Sequence, residues 1–335
     1  EENVLRQRVT TDIATGGGQF DIITIGAYEA PMWGKDGKLV PLSDMPASYD
    51  MDDVFLTVRD LLSHNGVIYA LPFYAESSFT FYRKDLFANA GLTMPAEPNY
   101  RQFRTYAEAL HDPENGVHGV CLRGKAGWGE NMTYVTTMVN AFGRRRFDMN
   151  WRPELNSPEW KEALTYYVDI LNNFEPPGAS SNGHNENRAL FASGKCGMWV
   201  DATSAAGYIY NPSDSKVHEK TDFTRAPSAR TDRGTGWAWA LSIPKSSKKT
   251  DAAKQFLAWS TSKEYVDLVG ARKGWTVAPP GTRKSTYNDN YYKAAPFTRT
   301  ALNSIMAMDP TKSTLLPVPY TGVQFATIPE FQSIG

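Results

Sequence analysis

The chain has 335 residues, 41% hydrophobic and 21% charged, with a formal net charge of −1 at neutral pH. That composition is globular, and the length calls for two domains or lobes rather than one core. Near-neutrality argues against nucleic acid as a partner, which needs a basic face, and no apolar run reaches the roughly 18 residues of a membrane span.

The chain opens on a helical pattern, with no signal peptide visible. Val4, Leu5, Val9 and Ile13 form a stripe that ends in Gly16-Gly17-Gly18. These glycines carry neither GK[ST] nor GxGxxG, so they stop a helix rather than cradle a phosphate. Residues 20–26 are an apolar run suited to a strand buried on both faces of a parallel sheet. In open α/β sheets ligands gather beyond the carboxyl ends of strands, which places Tyr28 and Glu29 for contact.

Short strands at 37–42 and 66–72 bracket a helix and lead into the stretch 71–95. It begins as an aromatic strand around Glu76-Ser77-Ser78 and turns into a helix at 83–90. Gly91 is expected to end that helix with a positive φ, and Pro95 blocks its continuation. A polar cluster within a buried strand must be hydrogen-bonded by protein, water or ligand. A helix follows at 98–110, with Asn99 as its N-cap.

A strand at 119–124 holds Cys121. Gly127-Trp128-Gly129-Glu130-Asn131 then opens a helix running to about Phe142, its glycines displaying the Trp128 ring where backbone N–H groups point outward. Ser157 caps an amphipathic helix at 157–173, with Pro158 at its first position. A short helix at 187–191 precedes a strand at 196–200, then Asp201-Ala202-Thr203-Ser204. A strand at 237–244 and a helix at 250–259 come later.

No catalytic set is visible: there is no GxSxG, no Ser or Cys beside a base, and no spacing that singles out a carboxylate pair. A carbohydrate-active enzyme stays a distant alternative, since two acids about 5–10 Å apart could hide among 36 acidic residues. The five His show no zinc spacing, and no metal or cofactor is implied. Cys121 and Cys196 allow one disulfide or two buried thiols. Aromatics reach 13%, with nine Trp and 17 Tyr; rings of this kind fill cores and also suit the C–H faces of sugars.

Tyr82-Arg83-Lys84-Asp85-Leu86-Phe87-Ala88-Asn89-Ala90-Gly91-Leu92, followed closely by Pro95, resembles the signature of family 1 extracellular solute-binding proteins, the soluble receptors of ABC sugar importers. The motifs at 127–131, 147–151, 185–187, 194–199 and 317–322 resemble the family's polyol-binding subgroup, receptors for mannitol, sorbitol and related sugar alcohols. The matches span nearly the whole chain. At 99–101 the sequence Asn-Tyr-Arg departs from the family's usual Thr-Trp.

This resemblance implies an α/β, two-lobed periplasmic binding protein fold, maltose-binding-protein-like, with a ligand cleft between the lobes. Lobe 1 would be 1–78 plus 236–278, and lobe 2 would be 79–235 plus 279–335. A strand and helix would precede the first residue, and a helix would follow the last. The protein would be a periplasmic monomer, not an enzyme, whose partners are ABC permease subunits. Glu76, Asp201 and Asn187 would hold a sugar-alcohol chain, helped by Tyr28, Glu29, Ser77, Glu130 and Thr203. Trp128, Trp237, Trp239 and Trp275 would pack its carbons.

Gly143-Arg144-Arg145-Arg146-Phe147 departs from the glycine, single arginine and tryptophan usual in that subgroup. The loop 231–236 likewise lacks the subgroup's tryptophans and has Arg225, Arg230 and Arg233 around it. A run of arginines is often a solvated loop. It is also the means of capturing a carboxylate bidentately, and uncompensated charge in a cleft calls for an anionic ligand. The ligand expected on the second view is a mannityl amino-acid conjugate, an opine such as mannopinic or agropinic acid or mannopine. The alternative is a neutral sugar alcohol such as mannitol, sorbitol or arabitol.

Overall fold

Apolar residues at every third or fourth position make the first element a helix, Glu2–Thr15, with Val9 and Ile13 buried. The computed structural model describes residues 2–127, 129–148, 152–231 and 235–307. Within them the strands, in chain order, are β1 Ile23–Gly26, β2 Ser63–His64, β3 Val67–Ile68, β4 Leu71–Arg83, β5 His118–Cys121, β6 Cys196–Ala202, β7 Thr221–Arg225 and β8 Gly236–Ser242. The chain divides into two units, the first holding residues 2–76 and 236–298, the second 77–235 and 299–307.

In the first unit β1 runs antiparallel to β8, with Ile23 opposite Ser242 and Gly26 opposite Trp239. A parallel pairing was expected. A continuous apolar run reports burial on both faces, and that burial is the same whichever way the neighbour runs. The hairpin of β2 and β3 turns on Asn65-Gly66, both at positive φ, as a two-residue turn between right-twisted strands requires. Ile25, Leu39, Leu42, Leu62 and Leu71 are fully buried at the centre of this unit.

Residues 279–298, expected with the second lobe, are bonded into the first unit. Arg283 is fully buried and donates to the carbonyls of Tyr49, Asp50 and Thr261 and to the Asp53 carboxylate, at 2.9–3.2 Å. Its guanidinium also lies 4.4 Å from the Tyr49 ring centre. The Phe55 amide donates to Thr282, and that of Ala75 to Pro280.

In the second unit the latter part of β4 lies between β6 and β7, antiparallel to both, and β6 runs parallel to β5. Phe81 stands opposite both Trp199 and Phe223. Its ring centre is 4.6 Å from that of Trp199 and 4.7 Å from that of Phe79, an aromatic stack buried on one face of the sheet. Phe103, Val120, Leu122, Met138, Trp160, Ile170 and Met198 join the core packed around the unit's helices.

The expected helix signals act as read. Asn99 and Gln102 form a reciprocal capping box for Tyr100–Leu110, and Ser157 caps Pro158–Phe174. Gly91 takes φ 66° just past the helix Lys84–Asn89. Cys121 and Cys196, on adjacent parallel strands, are joined by a disulfide with Cα atoms 5.8 Å apart.

Candidate functional site

Where β5 and β6 end side by side, an aspartate, an arginine and a histidine converge. Asp201 is fully buried on β6. Its Oδ1 accepts from Arg123 Nη2 at 2.5 Å, His184 Nδ1 at 2.9 Å and its neighbour's amide, Ala202 N, at 2.7 Å. Its Oδ2 accepts from Arg123 Nε at 2.8 Å and Trp199 Nε1 at 3.2 Å. Burial alone would raise the Asp201 carboxyl, but the Arg123 guanidinium and His184 outweigh it and hold the carboxyl far below the ordinary range. Asp201, expected to accept ligand hydroxyls, is committed to protein donors.

Arg123 extends the cluster by donating to the Gly129 carbonyl at 2.5 Å. This ties the turn that carries Glu130 to the end of β5. Glu130 accepts the backbone N–H of His184 at 3.1 Å, so the start of the helix His184–Ala192 is held by a carboxylate from another element. Asn187, one turn further along, is fully buried, and neither polar atom of its side-chain amide has a hydrogen-bond partner among the described residues. Trp128 lies outside the described residues.

The polar stretch in β4 finds protein partners. The Ser77 amide donates to Thr203 Oγ1 at 3.1 Å, and its hydroxyl donates to the Thr235 carbonyl at 2.6 Å. The hydroxyls of Ser78, Thr137 and Thr235 lie 2.7–3.0 Å from one another. Ser77 and Thr203, both expected as ligand contacts, are thus brought together here, joined by Thr137 and Thr235. Glu76, the last residue of the first unit in this strand, is half-buried.

In the first unit Glu29 is buried, paired with Arg6, and accepts the Gly26 amide at 2.9 Å. The Arg6 guanidinium sits 5.5 Å from the ring centre of Trp237 and 5.0 Å from that of Trp239, and these two rings meet edge-on at 5.7 Å. A Cβ at Gly26 would stand 1.9 Å from the Trp237 ring, so only glycine fits there. Tyr28, beside Glu29, is buried. Both tryptophans are half-buried. Trp275 is also half-buried, its ring centre 6.3 Å from that of Tyr291.

Two arginines of the run face carboxylates. Arg144 bonds Glu159 at 2.9 Å, and Arg145 pairs with Glu154 at 3.8 Å. Arg146 donates to Thr136 at 2.7 Å. Nearby, Arg230 pairs with Glu162 and Arg225 with Glu97, at 2.8 and 2.9 Å. Arg144 and Arg230 thus latch the helix Pro158–Phe174 through its own acidic residues. Among the described residues no group of His, Cys, Asp and Glu is arranged to hold a metal ion.

Arg123 and His184 were not singled out from the sequence. The one signal was position: an arginine two residues beyond a buried strand, and a histidine opening a helix.

Residues 1–267 match the family model described as bacterial extracellular solute-binding protein. Along its whole length the chain is 56% identical to a mannitol-binding protein of Pseudomonas aeruginosa, of which it covers 77%. It is similar to an ABC transporter solute-binding protein of Agrobacterium vitis solved with D-mannitol bound, at a TM-score of 0.91 and 53% identity over 100% of this chain and 81% of that one. A solute-binding protein of Agrobacterium radiobacter solved with ribitol shares the fold, with a TM-score of 0.83 and 24% identity over 99% of this chain and 81% of that one. The fold is the two-lobed, maltose-binding-protein-like one, mixed α/β.

Proposed function

We propose that this chain, which belongs to the family of bacterial extracellular solute-binding proteins, is the receptor of an ABC importer for a neutral sugar alcohol, with mannitol the first candidate. The observation that carries this is the likeness, over the whole chain, to a mannitol-binding protein and to a relative holding D-mannitol, both above 50% identity. The work is binding and release, not chemistry, as in the rest of the family. In this reading the receptor acts in the periplasm and delivers its ligand to membrane permease subunits.

The anionic mannityl conjugate is the weaker reading. It drew on cleft arginines lacking counter-charges, and Glu159, Glu154, Glu162 and Glu97 face Arg144, Arg145, Arg230 and Arg225. A sugar alcohol needs no charge. Each of its hydroxyls donates one hydrogen bond and accepts others, so it calls for a mixture of acceptors and donors beside an apolar wall. Glu76, Ser77, Glu130 and Thr203 are proposed for the first task. Trp128, Trp237, Trp239 and Trp275 are proposed for the second, with Tyr28 beside them.

Calorimetry decides between the ligands. D-mannitol, sorbitol, arabitol and a mannityl amino-acid conjugate are titrated separately, and the ligand is recovered afterwards. The expected outcome is one mannitol bound per chain, with the polyol recovered unchanged. Heat from the conjugate alone would overturn the neutral-polyol reading, and a chemically altered ligand would overturn the assignment as a receptor.

A further inference from the structure

We propose that His184 accepts a ligand hydroxyl at Nε2, making it a binding residue of the polyol site; the inference rests on the reading above. Four features of the ring support it.

The first is the tautomer. Nδ1 lies 2.9 Å from the ionised Asp201 carboxylate, which can only accept. Arg123 Nη2 also lies 3.3 Å from Nδ1, but the carboxylate is the nearer group, so in the neutral ring the proton sits on Nδ1 and the lone pair on Nε2. The second is orientation. The backbone N–H of His184 is held by Glu130, its Nδ1 by Asp201, and its ring lies 5.7 Å from the ring centre of buried Trp199. The backbone is held from the turn before the helix Asn131–Ala141, and ring nitrogen and ring face are both held by β6, so the direction of Nε2 is fixed.

The third is access. The side chain is 25% exposed, whereas that of Asp201 is fully covered. The fourth is chemical need. Every hydroxyl of a sugar alcohol brings a proton to donate, so its receptor must provide acceptors. Asp201 has five protein donors already, and Nε2 of His184 is an acceptor at the same place, made more basic by the carboxylate behind it. The location also fits, because parallel β5 and β6 end here, and ligands of open α/β sheets gather at such ends. The group expected to touch the ligand, Asp201, is thus a positioning residue for the one that does.

The test compares wild-type protein with His184→Phe and His184→Gln. Phenylalanine keeps a ring against Trp199 and removes both nitrogens, while glutamine restores an acceptor on a longer stem. In calorimetry with D-mannitol, His184→Phe is expected to bind about ten- to one-hundredfold more weakly, with His184→Gln in between. In wild-type protein labelled with ¹⁵N-histidine, the His184 Nε2 resonance is expected to read as unprotonated and to move when mannitol is added. This second readout needs no variant and stands if His184→Phe fails to fold. Wild-type affinity in His184→Phe, or an unmoved Nε2 at saturating mannitol, overturns the inference while leaving the polyol reading intact. A wild type silent toward mannitol, sorbitol and arabitol overturns that reading and this inference with it.

Discussion

Glu175 follows the helix Pro158–Phe174 with both carboxyl oxygens buried and neither in hydrogen-bond geometry with a described residue. Burial pushes its carboxyl well above the usual range, and the Leu122 backbone relieves only part of the cost. The folded state therefore holds a proton that the unfolded chain releases at the ordinary carboxyl value, near 4.5. Folding stability from this group is complete below that value and is lost as pH rises toward the folded-state pKa, by about 1.4 kcal/mol per pH unit. Glu175→Gln removes the penalty. Thermal melts should show wild type and variant alike near pH 4, with the variant increasingly the more stable toward pH 8; a gap independent of pH would contradict this. Such a residue is illegible in the sequence, where Glu175 reads as one more acidic residue. Asp201 and Arg123 are hidden in the same way, because 78 residues separate them and the pairing of β5 with β6 makes them neighbours.

Single side chains also decide how elements are joined. Arg283 fastens the turns Ala47–Tyr49 and Met51–Asp53 to Thr261, the residue that ends the helix Thr250–Ser260. Arg283→Met would take a donor from three carbonyls and leave the Asp53 carboxylate without its cationic partner, with Ser285 still donating to it; breaking a buried charge pair costs about 3–5 kcal/mol. Urea denaturation should register that as a lower midpoint for the variant, and an unchanged midpoint would show that these elements hold without it. The helices themselves were legible because caps and stripes are local: Asn99 with Gln102, Ser157 with Pro158, and Gly91 each act within four residues. Strand direction was not, since the apolar run at β1 is the same for parallel and antiparallel neighbours. Nor was the membership of residues 279–298, which the contacts of Arg283 decide.

At the scale of the whole molecule, the first unit closes only when chain from both sides of the second is brought together, whereas the second is nearly one continuous segment. Its disulfide joins Cys121 to Cys196 across 75 residues, all within that unit. Constraining a loop of this length in the unfolded chain contributes about 4 kcal/mol. Scanning calorimetry with and without reductant should show the second unit unfolding at lower temperature once the bond is cut. No change would mean that the core of Phe103, Met138 and Trp160 suffices alone. The family-level assignment was legible because its motifs are spread along the whole chain, while the carboxylates that meet Arg144, Arg145 and Arg230 come from the helix Pro158–Phe174 and the residues just before it, whose packing the sequence does not spell out. A last consequence concerns the place where the chain enters the second unit, at Ser77 and Ser78, and leaves it, at Thr235. The hydroxyls of Ser78, Thr137 and Thr235 make three mutual contacts, and Thr137 also reaches the Thr133 carbonyl at 3.1 Å. That is four contacts for three protons. One contact is always without a proton, and rotating a hydroxyl about its C–O bond moves the gap elsewhere without displacing a heavy atom. These two ends of the segment 77–235 are therefore held by a small degenerate set of proton arrangements, which gives them residual entropy and lets their bonds reorganise at little cost.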